Sequence, residues 1–299
     1  MPIPTYDHLP AHLFGGLKPD SCTFEEARAA VLPVPLERTT SYMSGTRHGP
    51  REILLASSQM ELWDEETATN AEDLGIFTLP EMELPFAGTG EALAEVTRVA
   101  GEIIDRDKFL VVLGGEHSIT PAVVKAMAGR TGDLSVLQID AHADLRDAYM
   151  GNPHSHASAM RRVLEHAPLT QVAVRSMSRD EALELPRLAT RVFFDHDMRD
   201  DPGWMDAVVE SLGPHVYLTI DCDGFDPAIM PAVGTPEPGG LNWREALGLL
   251  RKVFAEREVV GADIVELCPL PGLVAPNFLC ARLVFKILAY RLGTALGPR

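Results

Sequence analysis

The sequence contains few cysteines, and none of them form a paired motif. The four, Cys22, Cys222, Cys268 and Cys280, are spread over 299 residues without a CxxC spacing. Disulfide frameworks are typical of short secreted chains in which cysteines are dense. We therefore expect reduced thiols that serve as small core residues, as unpaired cysteines often do.

Long apolar runs and a secretory leader are also missing. Even residues 279–290 are interrupted by Arg282 and Lys286, whereas a transmembrane helix needs about 20 predominantly apolar residues. The opening residues, MPIPTYDHLP, lack the basic and then apolar segments of a signal peptide. We expect a cytoplasmic protein that does not contact a membrane.

Positive charge is the third shortage. The chain has 26 Lys and Arg residues against 43 Asp and Glu residues, and its formal net charge is −17. Nucleic-acid binding favours a basic surface, so this composition argues against a nucleic-acid partner. A negative field accelerates the encounter with a cation, which fits a small cationic substrate.

The sequence does contain a regular alternation of short apolar runs and amphipathic segments. The runs predict strands at residues 30–34, 109–113, 135–139, 171–174, 192–194, 216–220 and 259–265. Amphipathic segments predict helices at 89–104 and 243–255, and a further helix is expected from near Pro276. Because alternating strands and helices form parallel sheets covered on both faces, we predict one α/β domain over residues 1–299.

Four polar clusters each follow a predicted strand. They are GGEHS at 114–118, DAHAD at 140–144, DCD at 221–223, and Glu266. Open parallel sheets bind ligands at the carboxyl ends of their strands. We therefore expect the four clusters to meet at one edge of the sheet.

The first three clusters supply four carboxylates and two imidazoles, namely His117, Asp140, His142, Asp144, Asp221 and Asp223. Residues two apart in an extended segment point the same way, so 140–144 and 221–223 can each direct their polar side chains to one site. Buried carboxylates without cations repel one another and are costly. Six side chains exceed the four ligands of a typical zinc site but suit two divalent ions. The oxygen-rich set favours manganese, with cobalt, nickel and zinc as alternatives.

Long motifs along most of the chain resemble those of the ureohydrolase family, which includes arginase and agmatinase. The motifs are SYMSGTRHGP, GGEHS, DAHADLRD, SHASAMRR, DCDGFDPAIMP, GTPEPGGL and DIVELCP. The resemblance implies a three-layer α/β/α sandwich around a central parallel sheet of about eight strands. It also implies a homo-oligomer, either a trimer or a hexamer.

Carried over position by position, the resemblance implies two manganese ions per subunit. One ion would be held by His117, Asp140, Asp144 and Asp221. The other would be held by Asp140, His142, Asp221 and Asp223. Asp140 and Asp221 would therefore bridge the two ions, which can lower the pKa of water from about 15.7 toward 7.

The resemblance also implies roles for residues outside the metal ligands. Glu266 would bind the substrate guanidinium through a charge-assisted hydrogen bond. His156 would contact the substrate and transfer a proton to the leaving amine, and Thr235 would line the site. Asp144 would act in catalysis by orienting the attacking water. His154 is a rival for the proton transfer, because it lies only two residues from His156.

The substrate loops favour agmatine over arginine. Glu116, in the GGEHS motif, resembles the residue that agmatinases carry at this position, whereas arginases more often carry Asp there. Arginases also hold the substrate α-amino group with an acidic residue just after Arg175, but this chain has no carboxylate until Asp180. Residues 145–155 lack the Thr/Ser-rich run with which arginases bind the amino-acid head. The expected reaction converts agmatine and water to putrescine and urea, a step of polyamine biosynthesis.

Other functions stay open. A ureohydrolase acting on arginine, guanidinobutyrate, guanidinopropionate or guanidine would share the metal centre and differ in its loops. A deacetylase-like amidohydrolase is a further alternative, which the two-metal motifs argue against. A non-catalytic homologue is the last, although such proteins usually lose ligands that are all present here.

Overall fold

The computed structural model describes residues 12–293, and a parallel sheet lies at its centre. The strands are β1 (Ala29–Val34), β2 (Trp63–Asp64), β3 (Thr69–Asn70), β4 (Ile76–Thr78), β5 (Phe109–Gly114), β6 (Leu134–Ile139), β7 (Leu169–Val174), β8 (Thr190–Phe194), β9 (His215–Asp221) and β10 (Glu258–Val265). Within residues 12–293, eight of them form the sheet, in the order β4-β1-β5-β10-β9-β6-β7-β8, and β2 pairs with β3 in a separate two-stranded sheet. All pairings within the large sheet are parallel.

Helices cover both faces of this sheet. They are α1 (Gly49–Ser57), α2 (Thr89–Ile104), α3 (Thr120–Ala128), α4 (Ala159–Val163), α5 (Arg179–Glu184), α6 (Asp195–Asp200), α7 (Trp204–Glu210), α8 (Trp243–Glu256) and α9 (Ala275–Leu292). Alternate strand residues point to opposite faces: Val31 and Val111 pack in the core shared with α1, α8 and α9. Leu32 and Val112 pack in the core shared with α2, α3 and α4. This three-layer α/β/α sandwich with eight parallel strands confirms the predicted fold.

Each of the seven predicted strands is present in the sheet. The eighth strand, β4, has no signal in the sequence, because its three residues, Ile76–Thr78, are too few to show an apolar run. It pairs with the edge of β1, where Ala29 lies opposite Ile76. The conformation of a strand this short is determined by pairing with its neighbour rather than by the apolar pattern of its own residues.

The segments that carry the predicted metal ligands are less extended than expected. Strand β6 ends at Ile139, and Asp144 has a φ of 52°, in the left-handed region. Asp223 lies in a tight turn at Cys222–Gly224, where its backbone N–H donates to the side chain of Asp221 at 2.8 Å. The prediction that strand alternation directs Asp144 and Asp223 is therefore wrong, because local turns direct them.

The four cysteines are free thiols in the described part of the chain. Cys222, Cys268 and Cys280 are buried, as expected for small core residues. The expectation is wrong for Cys22, which is only half-buried because it lies in the irregular segment before β1.

None of the helices in residues 12–293 is long and apolar enough to cross a membrane. The opening ten residues, on which the prediction of no signal peptide depends, lie outside the described residues. The same holds for both ends of the predicted domain, residues 1–11 and 294–299.

Gly115 permits close contact between two loops at the carboxyl edge of the sheet. A Cβ atom at this position would lie 2.1 Å from the backbone oxygen of Leu36. We expect Gly115→Ala to lower the free energy of unfolding by about 1–3 kcal/mol, because the backbone must move to relieve the overlap. Chemical denaturation checks this. Gly132→Ala is the control, since within residues 12–293 no atom beyond Gly132 and its two chain neighbours lies within 4 Å of the added Cβ. Equal stability of both variants would contradict the prediction.

Candidate active site

The four polar clusters meet at the carboxyl edge of the sheet. The strands that precede them, β5, β10, β9 and β6, are consecutive neighbours. His117 follows β5, Asp140 follows β6, Asp221 ends β9 and Glu266 follows β10. Strand order therefore brings together side chains that are up to 149 positions apart in the sequence, as in the hydrogen bond from the backbone N–H of His117 to Glu266 Oε1.

His117 is surrounded by carboxylates. Its Nδ1 atom lies 3.1 Å from Asp140 Oδ2, 3.2 Å from Asp144 Oδ2 and 3.2 Å from Asp221 Oδ2. Nevertheless, this buried nitrogen forms no hydrogen bond within the described residues. A buried polar atom without a partner is rare in a folded protein, and a cation between the nitrogen and the three oxygens would satisfy it.

His142 lies on the other side of Asp140. Its Nδ1 atom is 2.9 Å from Asp223 Oδ2 and 3.7 Å from Asp140 Oδ1. Ligand atoms of Asp140, His142 and Asp223 lie within 4.8 Å of one another, as do those of His117, Asp140 and Asp221. Asp140 belongs to both groups, so the geometry offers two adjacent positions for cations.

Hydrogen bonds determine which nitrogen of His117 carries a proton. Its Nε2 atom lies 2.9 Å from Thr219 Oγ1, and this hydroxyl donates its single hydrogen to Asp263 at 2.6 Å. Thr219 can therefore only accept from His117, so Nε2 is protonated and Nδ1 is the nitrogen that can hold either a second proton or a cation. Asp263 is fully buried and also accepts from Thr120 and Tyr217. Sequence reasoning missed Thr219 and Asp263, although both lie within three residues of a predicted site residue.

The electrostatics of the cluster also favour bound cations. Burial raises the pKa of Asp221 well above its usual value, and the charges of Asp223 and Asp140 raise it further. Burial alone would lower the pKa of His142, but the charges of Asp223 and Asp140 raise it to about 12. The carboxylates thus retain positive charge on the imidazoles, and divalent ions could replace those protons. Two imidazole nitrogens and four carboxylates fit a pair of such ions.

Glu266 lies beside this cluster in an unfavourable backbone conformation. Its φ is 63°, a region that non-glycine residues rarely adopt. Its Oε1 atom accepts the backbone N–H of His117 at 2.7 Å. Burial raises the pKa of Glu266 well above its usual value, and the charge of Glu116 adds to this effect. Strained conformations of this kind cluster at functional sites.

A pocket of about 230 Å³ opens over the cluster. Asp144, Glu266, His156 and Thr235 all line it, together with the metal-ligand candidates His142, Asp221 and Asp223. His154 is exposed and is not part of the lining. Glu181 is a lining carboxylate that sequence reasoning missed, because it reaches the wall from α5, six residues beyond Arg175.

Arg175 positions the loop that carries Thr235. Its guanidinium donates to the backbone oxygens of Asp223 at 2.6 Å, Glu237 at 3.0 Å and Pro238 at 3.0 Å. These bonds connect the end of β7 to the irregular segment after β9. These hydrogen bonds therefore hold the loop that carries Thr235 against the backbone of Asp223, a metal-ligand candidate.

Comparison with known proteins identifies the family. The sequence profile of the Arginase family matches residues 27–289. The chain belongs to this family. It is therefore an enzyme of the arginase and agmatinase group of ureohydrolases, which confirms the resemblance found in the sequence.

Individual relatives of this ureohydrolase cover nearly all of the chain. It is 42% identical over 276 residues to the N(1)-aminopropylagmatine ureohydrolase of Synechocystis sp., with 90% of each chain covered. It is 32% identical to the agmatinase of Bacillus cereus, covering 83% of this chain and 86% of that one. The crystal structure of agmatine ureohydrolase of Thermoplasma volcanium superposes with a TM-score of 0.82 at 31% identity, covering 90% of this chain and 91% of that one.

The protons held by His117 and His142 predict how cation binding depends on pH. Carboxylates raise the pKa of both imidazoles in the metal-free ureohydrolase, and a metal ion needs them neutral. We therefore expect the affinity for Mn²⁺ to rise with pH between about pH 6 and 8, with release of protons. Calorimetric titration in buffers of different ionisation enthalpy measures this release. An affinity independent of pH, with no protons released, would contradict the prediction.

Proposed function

We propose that the protein is a binuclear manganese hydrolase that converts agmatine and water to putrescine and urea. The supporting observation is the convergence of the carboxylate and imidazole cluster with Glu266 and His156 on one pocket of about 230 Å³. The negative net charge of −17 would attract such a cationic substrate. We also propose a cytoplasmic homo-oligomer, a trimer or a hexamer.

The proposed metal ligands divide into two sets that share two carboxylates. One ion would be held by His117, Asp140, Asp144 and Asp221. The other would be held by Asp140, His142, Asp221 and Asp223. When bound, the ions would supply a hydroxide nucleophile at neutral pH. Asp144, which lines the pocket beside His142, would orient the attacking water by accepting its proton.

Glu266 and His156 would handle the substrate itself. A guanidinium brought next to the buried carboxylate of Glu266 would stabilise its ionised form and be fixed by charge-assisted hydrogen bonds. His156 would contact the substrate and give a proton to the leaving nitrogen as the C–N bond breaks. Its place on the pocket wall supports this role over exposed His154. Thr235, which lines the same pocket, would contact the bound substrate.

N(1)-aminopropylagmatine is the second candidate substrate. Relatives that carry this name are 38–42% identical to the chain, whereas those named agmatinase are 29–32% identical. Both compounds would present the same guanidinium to Glu266 and differ only in the amine tail. Hydrolysis of the longer compound would release urea and a triamine.

A urea-release assay with added manganese tests this proposal. We expect kcat/KM for agmatine or N(1)-aminopropylagmatine to exceed that for arginine and guanidinobutyrate by roughly 100-fold, because a carboxylate in the substrate would lie near the buried acidic cluster. The ratio of kcat/KM for agmatine to kcat/KM for N(1)-aminopropylagmatine decides which of the two is the preferred substrate. Release of acetate from an acetylated amine instead of urea would indicate a deacetylase, and no turnover of any guanidine would indicate a non-catalytic homologue.

Replacing Glu266 tests the guanidinium site separately from the metal centre. We expect Glu266→Gln to retain both manganese ions but to lower kcat/KM by roughly 30-fold or more, because the substrate cation loses a buried charged partner. Elemental analysis and steady-state kinetics measure the two effects. Glu184→Gln is the control, since among the described residues its half-exposed carboxylate pairs only with Arg161. An unchanged KM together with an unchanged rate would contradict the assigned role.

A further inference from the structure

We propose that Thr39, held by the buried carboxylate of Glu116, is a positioning residue that fixes the tautomer of His156. The inference rests on the proposed function, in which His156 transfers the proton to the leaving amine. It assigns a role to the acidic residue of the GGEHS motif and to a hydroxyl 117 positions away from His156.

Glu116 anchors the loop that follows β1. Its side chain is fully buried at the end of β5. Oε2 accepts the backbone N–H groups of Arg38 at 2.6 Å and Thr39 at 2.7 Å. Oε1 accepts the hydroxyls of Thr39 at 2.8 Å and Ser118 at 2.6 Å. Four donors on one carboxylate leave Thr39 little freedom to rotate.

The hydroxyl of Thr39 has three polar neighbours but only one hydrogen. That hydrogen goes to Oε1 of Glu116, which accepts it at 2.8 Å. The backbone N–H of His156 donates to Thr39 Oγ1 at 3.0 Å, and His156 Nδ1 lies 3.2 Å from the same oxygen. Since Thr39 has no further hydrogen to give, Nδ1 must be the donor. His156 therefore carries its fixed proton on Nδ1.

This tautomer leaves Nε2 as the nitrogen that exchanges a proton with the substrate. When His156 is charged, the Nε2 proton moves to the leaving nitrogen as the C–N bond breaks. The Nδ1 proton stays on His156 and remains hydrogen-bonded to Thr39. The hydrogen bond from Nδ1 to Thr39 is thus the same before and after proton transfer. The imidazole ring therefore need not rotate between catalytic cycles. The ring of Tyr149 packs edge-on against His156, with centroids 5.8 Å apart, and also limits its rotation.

Removing the Thr39 hydroxyl separates positioning from general structure. We expect Thr39→Val to lower kcat roughly 10- to 100-fold, with KM within about twofold and manganese content unchanged. Thr39→Ser should restore most of the rate, because it keeps the hydroxyl. Thr39→Ala repeats the test should the valine variant fail to fold. Thr97→Val is the matched control, since in the described part of the chain that hydroxyl donates only to the backbone oxygens of Leu93 and Ala122.

A double-mutant cycle with His156→Ala gives the decisive readout. If Thr39 acts through His156, Thr39→Val should change kcat of the His156→Ala enzyme by less than about twofold. An equal loss in both backgrounds would show a structural role and overturn the inference. If His156→Ala is slow but Thr39→Val is as fast as the parent, the inference about Thr39 is overturned while the proposed proton transfer by His156 stands. A His156→Ala enzyme as fast as the parent, with His154→Ala slow instead, would overturn the proposed proton transfer as well.

Discussion

The repulsion among buried carboxylates is the constraint on which the site depends. Asp140, Asp144, Asp221 and Asp223 are all less than 10% exposed and share the space around two imidazoles. Burying several like charges without compensation would cost more than a typical domain's whole stability margin. The negative charge of the cluster must therefore be neutralised, whether by protons on the imidazoles and carboxylates or by divalent cations. Any cation bound here would therefore be coupled to folding by electrostatics.

The remainder of the scaffold fixes where that charge can be held. The Thr219–Asp263 pair directs Nδ1 of His117 inward through a chain of buried hydrogen bonds. The guanidinium of Arg175 holds the loop that carries Thr235 by donating to backbone oxygens of Asp223 and Glu237. Because these supports come from neighbouring strands and the loops that follow them, the geometry is set by the sheet rather than by mobile loops. Preorganisation of this kind is what hydrolytic metal sites require.

The sequence predicts the sheet and the candidate ligands well, because both depend on local patterns. Apolar runs mark seven strands, and the polar residues directly after them meet as parallel strand ends must. What it misses depends on contacts distant in sequence. Strand β4 exists only through pairing with β1, and Glu181 reaches the pocket only because α5 folds back. The left-handed turn at Asp144 is equally invisible, since aspartate carries no signal that separates such a turn from a strand end.

Two of the proposed functional carboxylates lie on backbone that glycine would adopt more easily. Asp144 and Glu266 have φ values of 52° and 63°, and a side chain in this region costs about 1 kcal/mol or more. Selection for thermal robustness alone would therefore favour glycine at both positions. Keeping the two acids at these positions lowers the stability of the fold in exchange for catalytic activity. A more heat-resistant descendant that had lost both would be a stable but inert form of this fold.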